Sequence, residues 1–207
     1  MKTKIIPQSD AQSSATALET IRNGGVVALP TDTVYGIACA VTHPAAIKQL
    51  YAIKERDALK AIPVLVGDLQ QVEKLTANFT KQAERLSKEL WPGALTIIVP
   101  KAEHLPVELS AYDTVGIRMP DHDWLRELML LSGPLAATSA NLSGAPSPAT
   151  AKEVLAQLDG RIELIVDGGE CKGGIPSTVV DCSRPEIKIL REGGISPERI
   201  YNLLSQS

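Results

Sequence analysis

Aromatic side chains are scarce in this sequence: one Phe, two Trp and four Tyr make up 3% of 207 residues. So few rings exclude a single-stranded nucleic-acid platform built on base stacking. They also leave the core to Ala, Val, Ile and Leu. Excess positive charge is missing as well. The formal net charge is −3, so any anion site must be a local cluster rather than a basic field. Cysteine is limited to Cys39, Cys171 and Cys182, an odd number at spacings that fit no zinc pattern, which favours a reduced compartment. No apolar run approaches the roughly 18 residues of a transmembrane helix. The opening residues MKTKIIPQSD lack the apolar stretch of a signal peptide. A cytoplasmic protein without membrane contact is expected.

Generic catalytic signatures are absent too. There is no G-x-x-x-x-G-K-[ST] loop, no G-x-G-x-x-G after a strand and no G-x-S-x-G elbow. His43, His104 and His122 have no metal-ligand spacing and read as surface residues, and no protein metal site is expected. What is present is ordinary for a globular chain: 44% hydrophobic and 22% charged residues, in a length that suits one domain.

The hydrophobic periods alternate. Helices are expected over 11–22, 44–54, 68–75, 80–90, 122–131 and 150–158, with a last one starting at Ser196-Pro197. Ser9 with Gln12 suggests a capping box for the first. Strands are expected over 26–29, 62–66, 94–99, 114–119, 134–138, 162–166, 179–181 and 187–190. Intermixed helices and strands give an α/β class. The order is not a strict βαβ repeat, so the sheet is expected to be mixed.

Polar clusters follow or precede these strands, where α/β sheets bind ligands. Pro30-Thr31-Asp32-Thr33-Val34-Tyr35-Gly36 is either an ordinary hydroxyl-capped turn or a pocket wall. Lys54-Glu55-Arg56, with Lys60 beyond, is either a helix-end charge cluster or a polyphosphate clamp. Arg118, in the apolar strand Thr114-Val115-Gly116-Ile117-Arg118, must meet an internal acid or a ligand carboxylate. Thr138-Ser139-Ala140-Asn141 and Ser147 form a capped turn or hold phosphate and ribose oxygens. Ser177 precedes a strand, and Arg191-Glu192-Gly193-Gly194 follows one. This inventory has cations and hydroxyls but no evident nucleophile, and suits a reaction driven by positioning and charge neutralisation, such as nucleotidyl transfer.

The segments GGVVALPTDTVYGI, Lys54-x-Arg56, DTVGIRMP, TSANLSG, PSTVVD and ILREGG occur in that order. Together they resemble the YrdC-like threonylcarbamoyl-AMP synthases over about residues 10–200. The resemblance implies a single YrdC-like domain over 1–207, the form without the extra C-terminal domain of longer members. It implies a twisted, mixed but largely parallel sheet with flanking helices around a concave groove, similar to riboflavin-precursor synthases. It further implies an L-threonylcarbamoyladenylate synthase, a nucleotidyltransferase using L-threonine, bicarbonate or CO2, and ATP with Mg²⁺. A downstream transferase would use the product to modify tRNA adenosine. By motif, Lys54, Arg56, Lys60, Thr114, Ser139, Asn141, Ser147 and Arg191 would bind ATP. Thr31, Thr33, Tyr35, Arg118, Thr138 and Ser177 would surround threonine. Lys54, Arg56, Ser139 and Asn141 would carry the catalytic charge neutralisation. Two positions depart from the common pattern: Asp57 where many members have Pro, and Gly67 where some have His.

Three alternatives remain at this level. A double-stranded RNA or tRNA binding module would use shape and phosphate contacts. A riboflavin-precursor enzyme needs acidic and His metal ligands that cannot be assembled from this sequence. A carbamoyl-transfer domain of hydrogenase maturation normally belongs to a much longer chain.

Overall fold

The computed structural model describes residues 2–55, 57 and 59–205. Ten strands form one sheet: β1 (Lys4–Pro7), β2 (Val27–Leu29), β3 (Gly36–Ala40), β4 (Val64–Leu65), β5 (Leu95–Pro100), β6 (Thr114–Arg118), β7 (Leu135–Ser139), β8 (Leu164–Asp167), β9 (Thr178–Asp181) and β10 (Lys188–Arg191). Their spatial order is β1-β8-β2-β3-β7-β4-β6-β5-β9-β10. The helices are α1 (Ser13–Arg22), α2 (Pro44–Lys54), α3 (Leu69–Glu73), α4 (Lys81–Leu90), α5 (Asp123–Ser132), α6 (Ala151–Leu158) and α7 (Pro197–Ser205).

The helix starts follow from local chemistry. Pro44 opens α2, where its missing N–H costs nothing. Asp68 and Thr80 cap α3 and α4 by accepting from the backbone N–H three residues on. Thr150 and Glu153 make a full capping box on α6. The box expected at Ser9 and Gln12 does not form. Gln12 is itself the N-cap of α1 and its side chain caps nothing. Asp10 instead accepts from the Gln12 N–H at 2.8 Å, while Ser13 donates to the Gln8 carbonyl, so the turn 8–12 closes before the helix begins.

The α/β class and the mixed sheet are as expected, but parallel pairing does not predominate. Four junctions are parallel and five antiparallel among the described residues. The difference comes chiefly from β3, to which the sequence analysis assigns no strand. It inserts antiparallel between β2 and β7. Its residues Gly-Ile-Ala-Cys-Ala are all buried and show neither alternation nor β-branched enrichment. The edge strand β1 was also missed, having only Ile6 buried.

Alternation along the strands divides the core into two layers. Val26, Ala28, Ile37, Cys39, Val64, Ile97, Val115 and Ile117 face the layer built with α2, α4 and α6. Val27, Leu29, Ala38, Leu65, Leu135, Ala137 and Leu164 face α1 and α5. That second layer draws on β1, β2, β3, β4, β7 and β8, and on none of β5, β6, β9 or β10. Among the described residues, the four-strand end β6-β5-β9-β10 of this face therefore carries no helix. Cys39, Cys171 and Cys182 are buried and unpaired, and burial pushes the thiols of Cys39 and Cys182 up to about 12. Among the described residues, no helix is long and apolar enough to cross a membrane.

Candidate active site

A pocket of about 170 Å³ opens where the α1–α5 layer stops. Its floor is the sheet at that boundary: Leu65 of β4 and Ala137 of β7 at the edge of the layer, and Arg118 of β6 and Thr96 of β5 beyond it. On β6 positions 114, 116 and 118 alternate with Val115 and Ile117, which face the other core layer, so Arg118 rises on the helix-free face.

Arg118 is fixed on three sides. Nε donates to the Gly93 carbonyl (3.0 Å), Nη1 to Thr33 Oγ1 (2.9 Å) and Nη2 to Asp32 Oδ1 (2.5 Å). The ion pair is nearly enclosed, with side chains 8% and 14% exposed. Of the two partners open to Arg118 from sequence, the internal acid is present. Three of the five guanidinium N–H groups are used, which leaves two for a ligand. The α4–β5 turn Trp91-Pro92-Gly93 thus supplies one anchor and the β2–β3 turn two.

That β2–β3 turn is wired by its own hydroxyls. Thr31 Oγ1 donates to the Val34 carbonyl and accepts from the N–H of Thr33 and Val34. It also lies 3.0 Å from Thr33 Oγ1. Both sequence readings of this segment hold at once: it is a hydroxyl-capped turn, and it lines the pocket. Tyr35 also lines the wall, but its hydroxyl donates to the Gly169 carbonyl and accepts from the Gly168 N–H. Burial raises its pKa further, so the phenol pins the end of β8 rather than serving as an acid. His122 caps α5 through Nδ1. It is half-buried rather than a surface residue, and burial outweighs the Asp32 charge to hold its pKa below the ordinary value.

The opposite wall is Ser177 with Arg191. The Arg191 guanidinium donates through Nε (3.0 Å) and Nη2 (2.8 Å) to the Ser177 carbonyl, and Nη2 lies 3.2 Å from Ser177 Oγ. This depends on Gly193, where a Cβ would overlap the Pro176 carbonyl and the Ser177–Thr178 peptide. Gly193→Ala is expected to lower stability by about 1–3 kcal/mol through overpacking, read by urea denaturation. An unchanged midpoint would mean that this backbone approach is not made.

A model of the family Sua5/YciO/YrdC, described as telomere recombination, matches residues 19–193. The chain belongs to the Sua5/YciO/YrdC family. A threonylcarbamoyl-AMP synthase of Bacillus subtilis (strain 168) is 44% identical over 189 residues, 90% of this chain and 55% of that one. One of Pyrococcus abyssi (strain GE5 / Orsay) is 40% identical over 188 residues, again 90% and 55%. The crystal structure of P. abyssi Sua5 complexed with L-threonine matches with a TM-score of 0.94 at 38% identity, covering 98% of this chain and 61% of that one. The chain spans about half the length of the curated relatives it matches.

In this Sua5/YciO/YrdC pocket, Thr31, Thr33, Tyr35, Arg118, Thr138, Ser139, Ser147, Ser177 and Arg191 come together as lining residues. Lys54 and Asn141 are not among the lining residues but hold the loop that carries Ser139. The Lys54 ammonium donates to the Ser139 and Asn141 carbonyls and to Asn141 Oδ1. The Asn141 amide closes the loop onto the Leu142 and Ala145 carbonyls. Thr114 sits on the open sheet face and Lys60 on an exposed turn, both outside the pocket lining. Arg56 lies outside the described residues. The Gly67 departure has a packing cause: a Cβ there would come within 2.7 Å of the Arg126 carbonyl on α5. Thr96 and Asp32 were given no role from sequence. Their signal was a lone hydroxyl inside the apolar strand Leu95–Pro100 and a carboxylate between two threonines.

Proposed function

We propose that this chain is an L-threonylcarbamoyladenylate synthase. The observation that carries the reading is Arg118, clamped by Asp32 and Thr33 at the floor of a small pocket with two N–H groups left over. Such a fork suits a carboxylate. About 170 Å³ is well below the roughly 300–1,000 Å³ of pockets for drug-sized ligands, so the enclosed part fits an amino acid. The nucleotide then lies across the open half-face, towards Thr114, Ser147 and Arg191. That P. abyssi Sua5 is complexed with L-threonine supports threonine as the amino acid.

In the proposed reaction the threonine amine captures CO2 or bicarbonate to give an N-carboxylate, releasing a proton or water. An oxygen of that carboxylate forms a bond to the α-phosphorus of ATP, and the bond from that phosphorus to the bridging oxygen breaks. Pyrophosphate leaves. Ser139, Ser147 and Arg191 donate to phosphate oxygens, Arg118 and Ser177 to threonine, and Lys54 and Asn141 hold the loop that presents Ser139. Mg²⁺ carried by ATP would supply further charge neutralisation on the phosphates. The polar side chains of the lining are hydroxyl and guanidinium donors with no carboxylate among them, which fits a metal carried by the nucleotide rather than a protein cage. Residues 1–207 act as one unit, in the cytoplasm, and a separate transferase carries the threonylcarbamoyl group to tRNA adenosine.

Protein incubated with ATP, Mg²⁺, bicarbonate and L-threonine is expected to release pyrophosphate only when threonine is present. Release without threonine would assign another substrate. No release, with RNA binding that weakens steeply with salt, would favour the RNA-binding alternative.

A further inference from the structure

We infer that Thr96 is a positioning residue that aims the Ser177 hydroxyl hydrogen into the pocket. The inference rests on the synthase reading above and deepens it. Thr96 and Ser177 are 4% and 5% exposed, yet both line the cavity. Their oxygens are 2.8 Å apart and either can be the donor. Among the described residues this is the sole hydrogen-bond partner of Thr96 Oγ1. Either direction leaves one hydroxyl hydrogen without a protein acceptor and free to meet a ligand: if Ser177 gave its hydrogen to Thr96, that hydrogen would be the one on Thr96. If Thr96 donates, both lone pairs of Ser177 Oγ are filled, one by Thr96 and one by Arg191 Nη2 at 3.2 Å. The Ser177 hydrogen then has no protein acceptor and is held ready for an anionic oxygen of the substrate.

The backbone keeps Thr96 in place. The β5–β6 register, Ile97 opposite Ile117 and Ile98 opposite Gly116, carries Thr96 opposite Arg118. Its methyl points at Gly116, where a Cβ would meet it at 3.2 Å. With the methyl fixed on that side, the hydroxyl has one direction to take.

The test is steady-state pyrophosphate release in wild type, Thr96→Val, Thr96→Ser, Ser177→Ala and Thr96→Val/Ser177→Ala, with thermal melts of each. Thr96→Val keeps the shape and removes the donor. It is expected to raise KM for L-threonine about threefold to tenfold, with kcat within about twofold. Thr96→Ser should restore KM, and the double variant should be no worse than Ser177→Ala. Thr96→Ala carries the same test if Thr96→Val does not fold. An unchanged KM in the variant lacking the hydroxyl, or equal losses in Thr96→Val and Thr96→Ser, would overturn the inference alone. Wild-type protein that releases no pyrophosphate would overturn the synthase reading, and this inference with it.

Discussion

Lys54→Met is expected to cost about 3–5 kcal/mol of folding stability, because it leaves several buried oxygens without their charged donor. Lys54 is 2% exposed and ends α2. Its ammonium is the common donor to the Ser139 and Asn141 carbonyls and the Asn141 side chain, and the Lys54 carbonyl accepts from the Ser143 N–H. A methionine of similar length fills the space but donates nothing. The loop 139–145 would lose its anchor, and with it the place of Ser139 beside Gly36 at the end of the β3–β7 ladder.

Turnover should therefore fall by at least about a hundredfold, and the melting temperature by roughly 10 °C for a chain of this size. The two readouts separate the two sequence readings of the Lys54-x-Arg56 cluster. A lysine that served only as a phosphate clamp would lose activity on substitution and keep its stability. Thermal melts of Lys54→Met that overlay the wild type would refute the anchoring role.

Much of the fold was legible because its signals are local. Pro44, Asp68, Thr80 and Thr150 announce their helices through capping chemistry, and the continuous apolar runs at 26–29 and 162–166 mark strands buried on both faces. What was not legible depends on partners distant in sequence. β3 is a strand because β2 and β7 flank it, not because Gly-Ile-Ala-Cys-Ala prefers extension. The helix-free half of the sheet cannot be read from any one segment, since it results from α1 and α5 stopping at β4. The site divides in the same way. The motif order picks out nine residues that line one pocket, yet it could not show that the Tyr35 phenol is spent on Gly168 and Gly169. Nor could it show that Lys54 holds the Ser139 and Asn141 carbonyls. Both are matters of hydrogen-bond geometry, and both tie a side chain marked by its motif to backbone carbonyls distant in sequence.

The Asp32–Arg118 pair should reveal itself as a unit in a double-mutant cycle. Arg118→Ala removes the fork assigned to the threonine carboxylate and leaves Asp32, 14% exposed, without its counter-charge. The expected result is a loss of about 10²–10³ in kcat/KM for threonine, together with about 3 kcal/mol of stability from the stranded carboxylate. Asp32→Asn keeps an acceptor for Nη2 but not the charge. It should cost about tenfold in kcat/KM, because the guanidinium stays anchored by Gly93 and Thr33 while its third restraint weakens. If Asp32 acts only through Arg118, the double variant will be no less active than Arg118→Ala. It will also be more stable than that single variant, since the unpaired carboxylate is gone. Losses that simply add, with no recovery of stability in the double variant, would mean that Asp32 meets the substrate or the fold by a separate route. The sign of the stability change decides the question, because an acid kept to orient an arginine is a liability once the arginine is removed.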